Sequence, residues 1–230
     1  MTRLSRTQSH VPPHPVPTVP SPLSNHHDPA ATFVSSPTSN EWLLPTPSQL
    51  SAAASLPIIS SAGIRVPFGL LFELQKTIVI FIRHFWCPLC QDYMTSVKNL
   101  AKPEMLKGTR DVQLVIISNG AHTLIEKYKQ IFNLPFNMYT DPTLAVYNAL
   151  GMGKDKDEAS YVKHGLVSGI ALVMARAVKV KMRVWENGGD VGQLGGEFVL
   201  GPGLRCTFAH RMQTPKGHAP ISLVLRAAGV

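Results

Sequence analysis

The residue types able to do chemistry in this 230-residue chain gather in one string, Arg83-His84-Phe85-Trp86-Cys87-Pro88-Leu89-Cys90. Two thiols three positions apart suit either a reversible disulfide or one half of a metal site. A zinc site normally takes a second ligand pair, and no second C-x-x-C or H-x-x-x-H follows them, so no metal is expected. Redox chemistry is the stronger reading if the pair starts a helix. There the unpaired backbone N–H groups and the positive end of the dipole favour thiolate over thiol. Cys87 then falls at or just before the first turn, Pro88 at the first helical position, where it needs no N–H, and Cys90 inside the first turn. The simplest assignment makes Cys87, expected to be the more exposed, the attacking nucleophile, with Cys90 resolving the mixed disulfide or sulfenic acid. Arg83 and His84 add cationic or polarisable groups, of which strand alternation lets one share the face of Cys87. Trp86 and Pro88 complete the immediate support.

The elements around the string have the rhythm this requires. Thr77 to Phe85 is nearly continuous in apolar, β-branched and aromatic residues, as a central strand buried on both faces would be. After the cysteines the period changes: Leu89, Tyr93, Met94, Val97 and Leu100 recur at three and four residues, an amphipathic helix ended by Pro103. Val112 to Ile117 is a second strand, followed by Ser118 and Asn119 as candidate caps for a helix from about Ala121 to Phe132. Phe136 to Tyr139 makes a third strand, Asp141 and Pro142 a turn, and Thr143 to Leu150 a short helix stopped by Gly151. A longer helix is expected from about Tyr161 to Val178. Gly195 to Leu200 and Leu204 to His210 flank Gly201-Pro202-Gly203 as a hairpin, and Pro220 to Ala228 closes the chain as a helix. The fold class is α/β: a central mixed sheet flanked by helices, with a C-terminal β-hairpin and a terminal helix.

Bulk composition narrows the remaining classes. The chain is 44% hydrophobic, enough for one core, and carries a net charge of +8. Residues 1–60 hold two basic and two acidic residues, so the excess lies entirely beyond them. Residues 1–55 are rich in Pro and Ser, as in VPPHPVPTVPSP, and are expected to form a disordered tail, with order beginning between about residues 52 and 66 and the domain running over 56–230. His10, His14, His26 and His27 in that tail lack the fixed geometry of a ligand set. The basic residues Arg176, Lys179, Lys181 and Arg183 alternate with apolar ones, the pattern of a half-solvated segment rather than a phosphate track, so no nucleic-acid partner is expected. No apolar run reaches membrane-spanning length and no secretory h-region follows Arg3 and Arg6, so neither membrane nor export is expected. Three cysteines are too few for a secreted disulfide framework, and the expected setting is cytoplasmic. Cys206, in the alternating stretch CTFAH, reads as a buried inert thiol, with a second resolving cysteine as the sharper alternative. His122 and His164 receive no role.

The strings FIRHFWCPLCQDY, VIISNG, MYTDPTLAVYNALGM and GGEFVLGPGLRCTFAHR together resemble the peroxiredoxin-like proteins of the AhpC/TSA antioxidant class, within the thioredoxin-like superfamily, from about residue 60 onward. The resemblance implies a thioredoxin-like fold and a thiol-dependent antioxidant that reduces a peroxide or related oxidised substrate. Thioredoxin or glutathione would reset it, and no bound cofactor is needed. Two departures stand out. Peroxiredoxins carry P-x-x-x-T-x-x-C. Aligned on Cys90, this chain has Cys87 and Arg83 at the Thr and Pro positions; aligned on Cys87, it has His84 and Ile80. The proline that thioredoxins place before the strand facing the thiols is here Gly195-Gly196. The rival expectation is a redox-sensitive regulatory or interaction protein without peroxidase activity, its Pro-rich tail docking in a polyproline groove of a protein partner.

Overall fold

The computed structural model describes residues 40–108, 111–155 and 166–230, with the backbone alone at 166–168. Along the chain run α1 (Pro47–Ser55), β1 (Pro57–Ser60), β2 (Arg65–Pro67), β3 (Thr77–Phe81), α2 (Pro88–Leu100), α3 (Pro103–Leu106), β4 (Gln113–Ser118), α4 (Ile125–Phe132), β5 (Asn137–Thr140), α5 (Ala145–Ala149), α6 (Leu166–Lys179), β6 (Gly196–Leu200), β7 (Cys206–Arg211) and α7 (Ile221–Ala228). The strands described form one mixed sheet in the order β2-β1-β5-β4-β3-β6-β7. β3, β4 and β5 are parallel, whereas β6 and β7 continue the sheet antiparallel from β3, and β1 and β2 from β5. The expected parallel half, hairpin and terminal helix are all present.

All five residues of β3 are buried because helices cover both faces of the sheet. Ile78 and Ile80 point into a core shared with Met94 and Val97 of α2, Tyr128 of α4, and Val224 and Leu225 of α7. Val79 and Phe81 point the other way, onto Leu50 of α1 and Val146 and Tyr147 of α5. The Tyr147 hydroxyl donates to the Ile82 carbonyl at 2.7 Å and is within 3.1 Å of the Ile117 carbonyl. It therefore anchors the chain where it leaves the sheet for the cysteines.

Several boundaries differ from the expectations. The β3 ladder ends at Phe81 rather than Phe85, because residues 82–87 turn out of the sheet to start α2. Neither Ser118 nor Asn119 caps the helix that follows. A 3-10 turn over His122–Leu124 leads into α4, and the Asn119 side chain donates to the Asp190 carbonyl instead. The basic stretch straddles a helix end: Arg176 and Lys179 lie in the last turn of α6, which runs one residue past the expected Val178, and a turn follows. Of the helix expected from Tyr161, residues 161–165 lie outside the described residues.

Order also starts earlier than composition suggests. α1 occupies Pro47–Ser55, inside the stretch assigned to the tail. Thr46 and Gln49 form a reciprocal capping box, Pro47 takes the first helical position, and Leu50 and Ala53 are buried. The expectation for residues 1–39 lies outside the described residues. The hairpin of β1 and β2 has no counterpart in the sequence expectations, its strands of four and three residues being too short to show a period.

Candidate active site

Cys87 is the N-cap of α2, with extended backbone angles, and its sulfur accepts the Cys90 amide at 3.3 Å. Pro88 follows at the first helical position, as the spacing predicts. Of the two flanking candidates, Arg83 turns toward the thiols. Its amide donates to Cys90 Sγ at 3.4 Å, and its guanidinium lies 3.8 Å from Cys87 Sγ. The guanidinium is itself fixed by donating to the carbonyls of Val191 (2.5 Å) and Gln193 (3.2 Å). These carbonyls belong to a loop, residues 186–193, that folds back over the ends of β3 and β4. In that loop a Cβ at Gly188 would collide with the Trp86 indole, so glycine lets the backbone lie on the ring.

Both thiols are reduced and both are 0% exposed, so Cys87 is not the more exposed of the pair. The loop over residues 83–87 and the packing of α2 cover it. What separates the two sulfurs is electrostatics. The hydrogen bond from the Cys90 side chain, opposed by burial and aided by the Arg83 charge and the Cys90 amide, brings the Cys87 thiol from 9.0 down to about 6. Burial, reinforced by Cys87, pushes the Cys90 thiol well above the ordinary range. One thiolate and one thiol is the arrangement that disulfide chemistry uses.

His84 makes no hydrogen bond to either sulfur. It is 2% exposed, neither ring nitrogen has a hydrogen-bond partner among the described residues, and burial followed by the Arg83 charge lowers it to about 3. It is a neutral packing residue at working pH. Cys206 lies apart, packed against the core on the opposite face of the sheet from Cys87 and Cys90. Its sulfur donates to the Phe208 carbonyl, and burial raises it to about 11. It is thus half-buried rather than fully buried as expected, and lies across the sheet from the pair it would have to resolve.

The sequence reading missed a group on the other side of Cys90. His218, in the loop before α7, presents Nε2 to Cys90 Sγ at 3.5 Å and stacks on Tyr93 with centroids 4.2 Å apart. Its Nδ1 meets Glu197 Oε1 at 2.5 Å, and Glu197 Oε2 meets His210 Nδ1 at 2.6 Å. His210 and Glu197 are opposed residues of β7 and β6, a register that the hairpin signal does not give: closing directly on Gly201-Pro202-Gly203 would set Glu197 against Thr207, and the irregularity at Val199/Leu200 moves it to His210. His218 reaches Cys90 across 128 positions, which no local pattern discloses.

Strand, dithiol at a helix start, and antiparallel return strands define a protein of thioredoxin-like fold with a candidate thiol redox site. The comparisons with known proteins name the family. The AhpC/TSA antioxidant enzyme family matches residues 97–214. Peroxiredoxin-like 2C of Homo sapiens is 33% identical over 92% of each chain, and that of Mus musculus 34% identical over 78% of this chain and 80% of its own. Among solved structures, a cysteine-to-serine mutant of Xanthomonas campestris peroxiredoxin Q superposes with a TM-score of 0.54 at 13% identity, over 82% of this chain and 96% of that one. The chain belongs to the AhpC/TSA family as a peroxiredoxin-like member, and that membership supports a thiol-dependent redox function.

Proposed function

We propose that the protein is a thiol-dependent antioxidant oxidoreductase that reduces a peroxide or a related oxidised substrate through a Cys87/Cys90 dithiol and disulfide. The observation carrying this is the Cys87 sulfur at the N-cap of α2, within 3.8 Å of the Arg83 guanidinium and bonded to the Cys90 amide. The Cys87 thiolate attacks one peroxide oxygen, the O–O bond breaks, and the alcohol or water leaves after taking a proton. Cys87 is left as a sulfenic acid. Cys90 then attacks the Cys87 sulfur, the S–S bond forms and water departs. Two electrons from thioredoxin or glutathione, in a reducing cytoplasmic setting, restore the dithiol.

The test is turnover of hydrogen peroxide and of a lipid hydroperoxide, coupled to NADPH through the thioredoxin or the glutathione system. Wild type is expected to turn over with one of them and Cys87→Ser with neither. A second reading, a redox-sensitive interaction protein without peroxidase activity, draws on the full burial of both sulfurs. Failure of wild type to turn over either peroxide, while the dithiol still cycles in the whole chain, would select it.

A further inference from the structure

Cys90 presents a chemical difficulty for any cycle in which it closes a disulfide. It must attack as a thiolate, yet its sulfur is completely buried and held protonated by that burial. A base must therefore accept its proton as the S–S bond forms, and that base must lie inside the protein.

We infer that His218 is the general base for Cys90, held in its working orientation by Glu197. The inference deepens the redox reading given above and rests on it. His218 Nε2 lies 3.5 Å from Cys90 Sγ, and its other ring nitrogen is engaged at 2.5 Å by the Glu197 carboxylate. A carboxylate so placed takes the Nδ1 proton in its hydrogen bond, leaves Nε2 as the acceptor, and stabilises the imidazolium formed when Nε2 takes the thiol proton. The ring is fixed further by stacking on Tyr93 with an interplanar angle of 5°, and its side chain is only 6% exposed.

Glu197 is well suited to this positioning role. It is 0% exposed on β6, and a buried carboxylate persists only where it is paired. Its partners are His218, His210 at 2.6 Å and the Ala219 amide at 3.1 Å. Burial pushes its carboxyl up, but the attraction of His218 when that ring is protonated, and the hydrogen bonds with both histidines, outweigh that and leave it below the usual carboxylate range. His210 Nε2 in turn meets Glu41 Oε1 at 3.3 Å, and the Glu41 side chain is 30% exposed. Alternating imidazoles and carboxylates thus run from the buried Cys90 sulfur to the surface.

The step balances simply. As Cys90 sulfur bonds to Cys87 sulfur, its proton moves to His218 Nε2. The hydroxide leaving the Cys87 sulfenic acid takes up one proton as water, and the proton on His218 is released in exchange. When Cys87 instead carries a mixed disulfide, a thiolate leaves and the His218 proton passes to solvent.

The experiment uses 5,5′-dithiobis(2-nitrobenzoate) on the reduced full-length chain, in a Cys206→Ala background so that two thiols are counted. The first nitrothiobenzoate released reports attack by Cys87. The second reports displacement by Cys90, and its rate is independent of reagent concentration. Replacing His218 by Gln is expected to slow the second phase at pH 7 by at least about a hundredfold, the lower side of what a general base supplies, with a much smaller change in the first. Imidazole added to His218→Ala restores part of the rate. Glu197→Gln slows the same phase, and in the unsubstituted protein that phase slows in heavy water while the first does not. A second phase unchanged in folded His218→Gln, or insensitive to heavy water in the wild type, overturns the inference. Because the probe is a disulfide, a protein that passes this test yet turns over no peroxide would lose the antioxidant reading and keep His218.

Discussion

Removing the Arg83 charge is the perturbation that bears most directly on why Cys87 is reactive. Its guanidinium lies 3.8 Å from the sulfur, and Cys87 is brought from 9.0 to about 6 with Arg83 among the causes, after the Cys90 hydrogen bond and against burial. An opposite charge at such range lowers a pKa by roughly 1–3 units, and since the Cys90 hydrogen bond is the larger cause here, Arg83→Met is expected to move the Cys87 midpoint up by about 1 unit. The thiolate fraction at pH 7 then falls from about nine-tenths to about one-half. The assay is iodoacetamide alkylation of the reduced protein from pH 4.5 to 9.5, with Cys87 followed by mass spectrometry. Its readout is the midpoint, since intrinsic nucleophilicity changes with pKa and would confuse a single-pH rate. The carbonyls of Val191 and Gln193 also lose their donor, at a cost of about 1–3 kcal/mol for each left unsatisfied. Arg83→Lys, which keeps the charge and loses the fork, therefore serves as the control and should hold the low midpoint better than Met. A midpoint still near 6 in folded Arg83→Met would refute the electrostatic account of Cys87.

Three further outcomes are expected. His84 stays neutral in the fold down to about pH 3, whereas in the unfolded chain it protonates near 6.5, so between those values the unfolded state binds more protons and stability falls as pH drops, by about 1.4 kcal/mol per pH unit. His84→Phe should flatten that part of the stability curve in urea titrations, and an unaltered slope would count against it. Cys206→Ala should leave peroxide turnover and both phases of thiol titration unchanged, because that thiol sits on the far face of the sheet; loss of turnover would give it a resolving role. Thr46→Ala should cost roughly 0.5–2 kcal/mol in thermal or urea unfolding through the lost capping box, with the Cys87 midpoint unchanged.

The strand, dithiol and helix junction is legible because each part leaves a local mark. Burial on both faces makes β3 a continuous apolar run, Pro88 marks the first helical position, and the spacing of Met94 and Val97 marks the inward face of α2. What sequence does not convey is depth. A helix start reads as exposed, but the loop over residues 186–193 returns across it, and that return depends on Gly188 facing Trp86 about a hundred positions away. The His218 and Glu197 pair is hidden for the same reason, being assembled from β6 and the loop before α7 against α2. Even the opposition of Glu197 and His210 is hidden, because the register shift at Val199/Leu200 moves β7 away from the pairing that a turn at Gly201-Pro202-Gly203 alone implies. α1 reads as tail because its Ala and Ser residues carry little periodic signal, although Thr46, Pro47 and Gln49 spell out its cap.

The central claim, that Cys87 and Cys90 form the redox couple, is tested most directly by mixing the reduced protein with one equivalent of hydrogen peroxide or a lipid hydroperoxide in a stopped-flow instrument and mapping the product by mass spectrometry. The account predicts loss of two thiols far faster than free cysteine reacts, a Cys87–Cys90 disulfide in wild type, a Cys87 sulfenic acid in Cys90→Ser and no fast reaction in Cys87→Ser. Oxidation of wild type no faster than free cysteine, or a disulfide that includes Cys206, would contradict it.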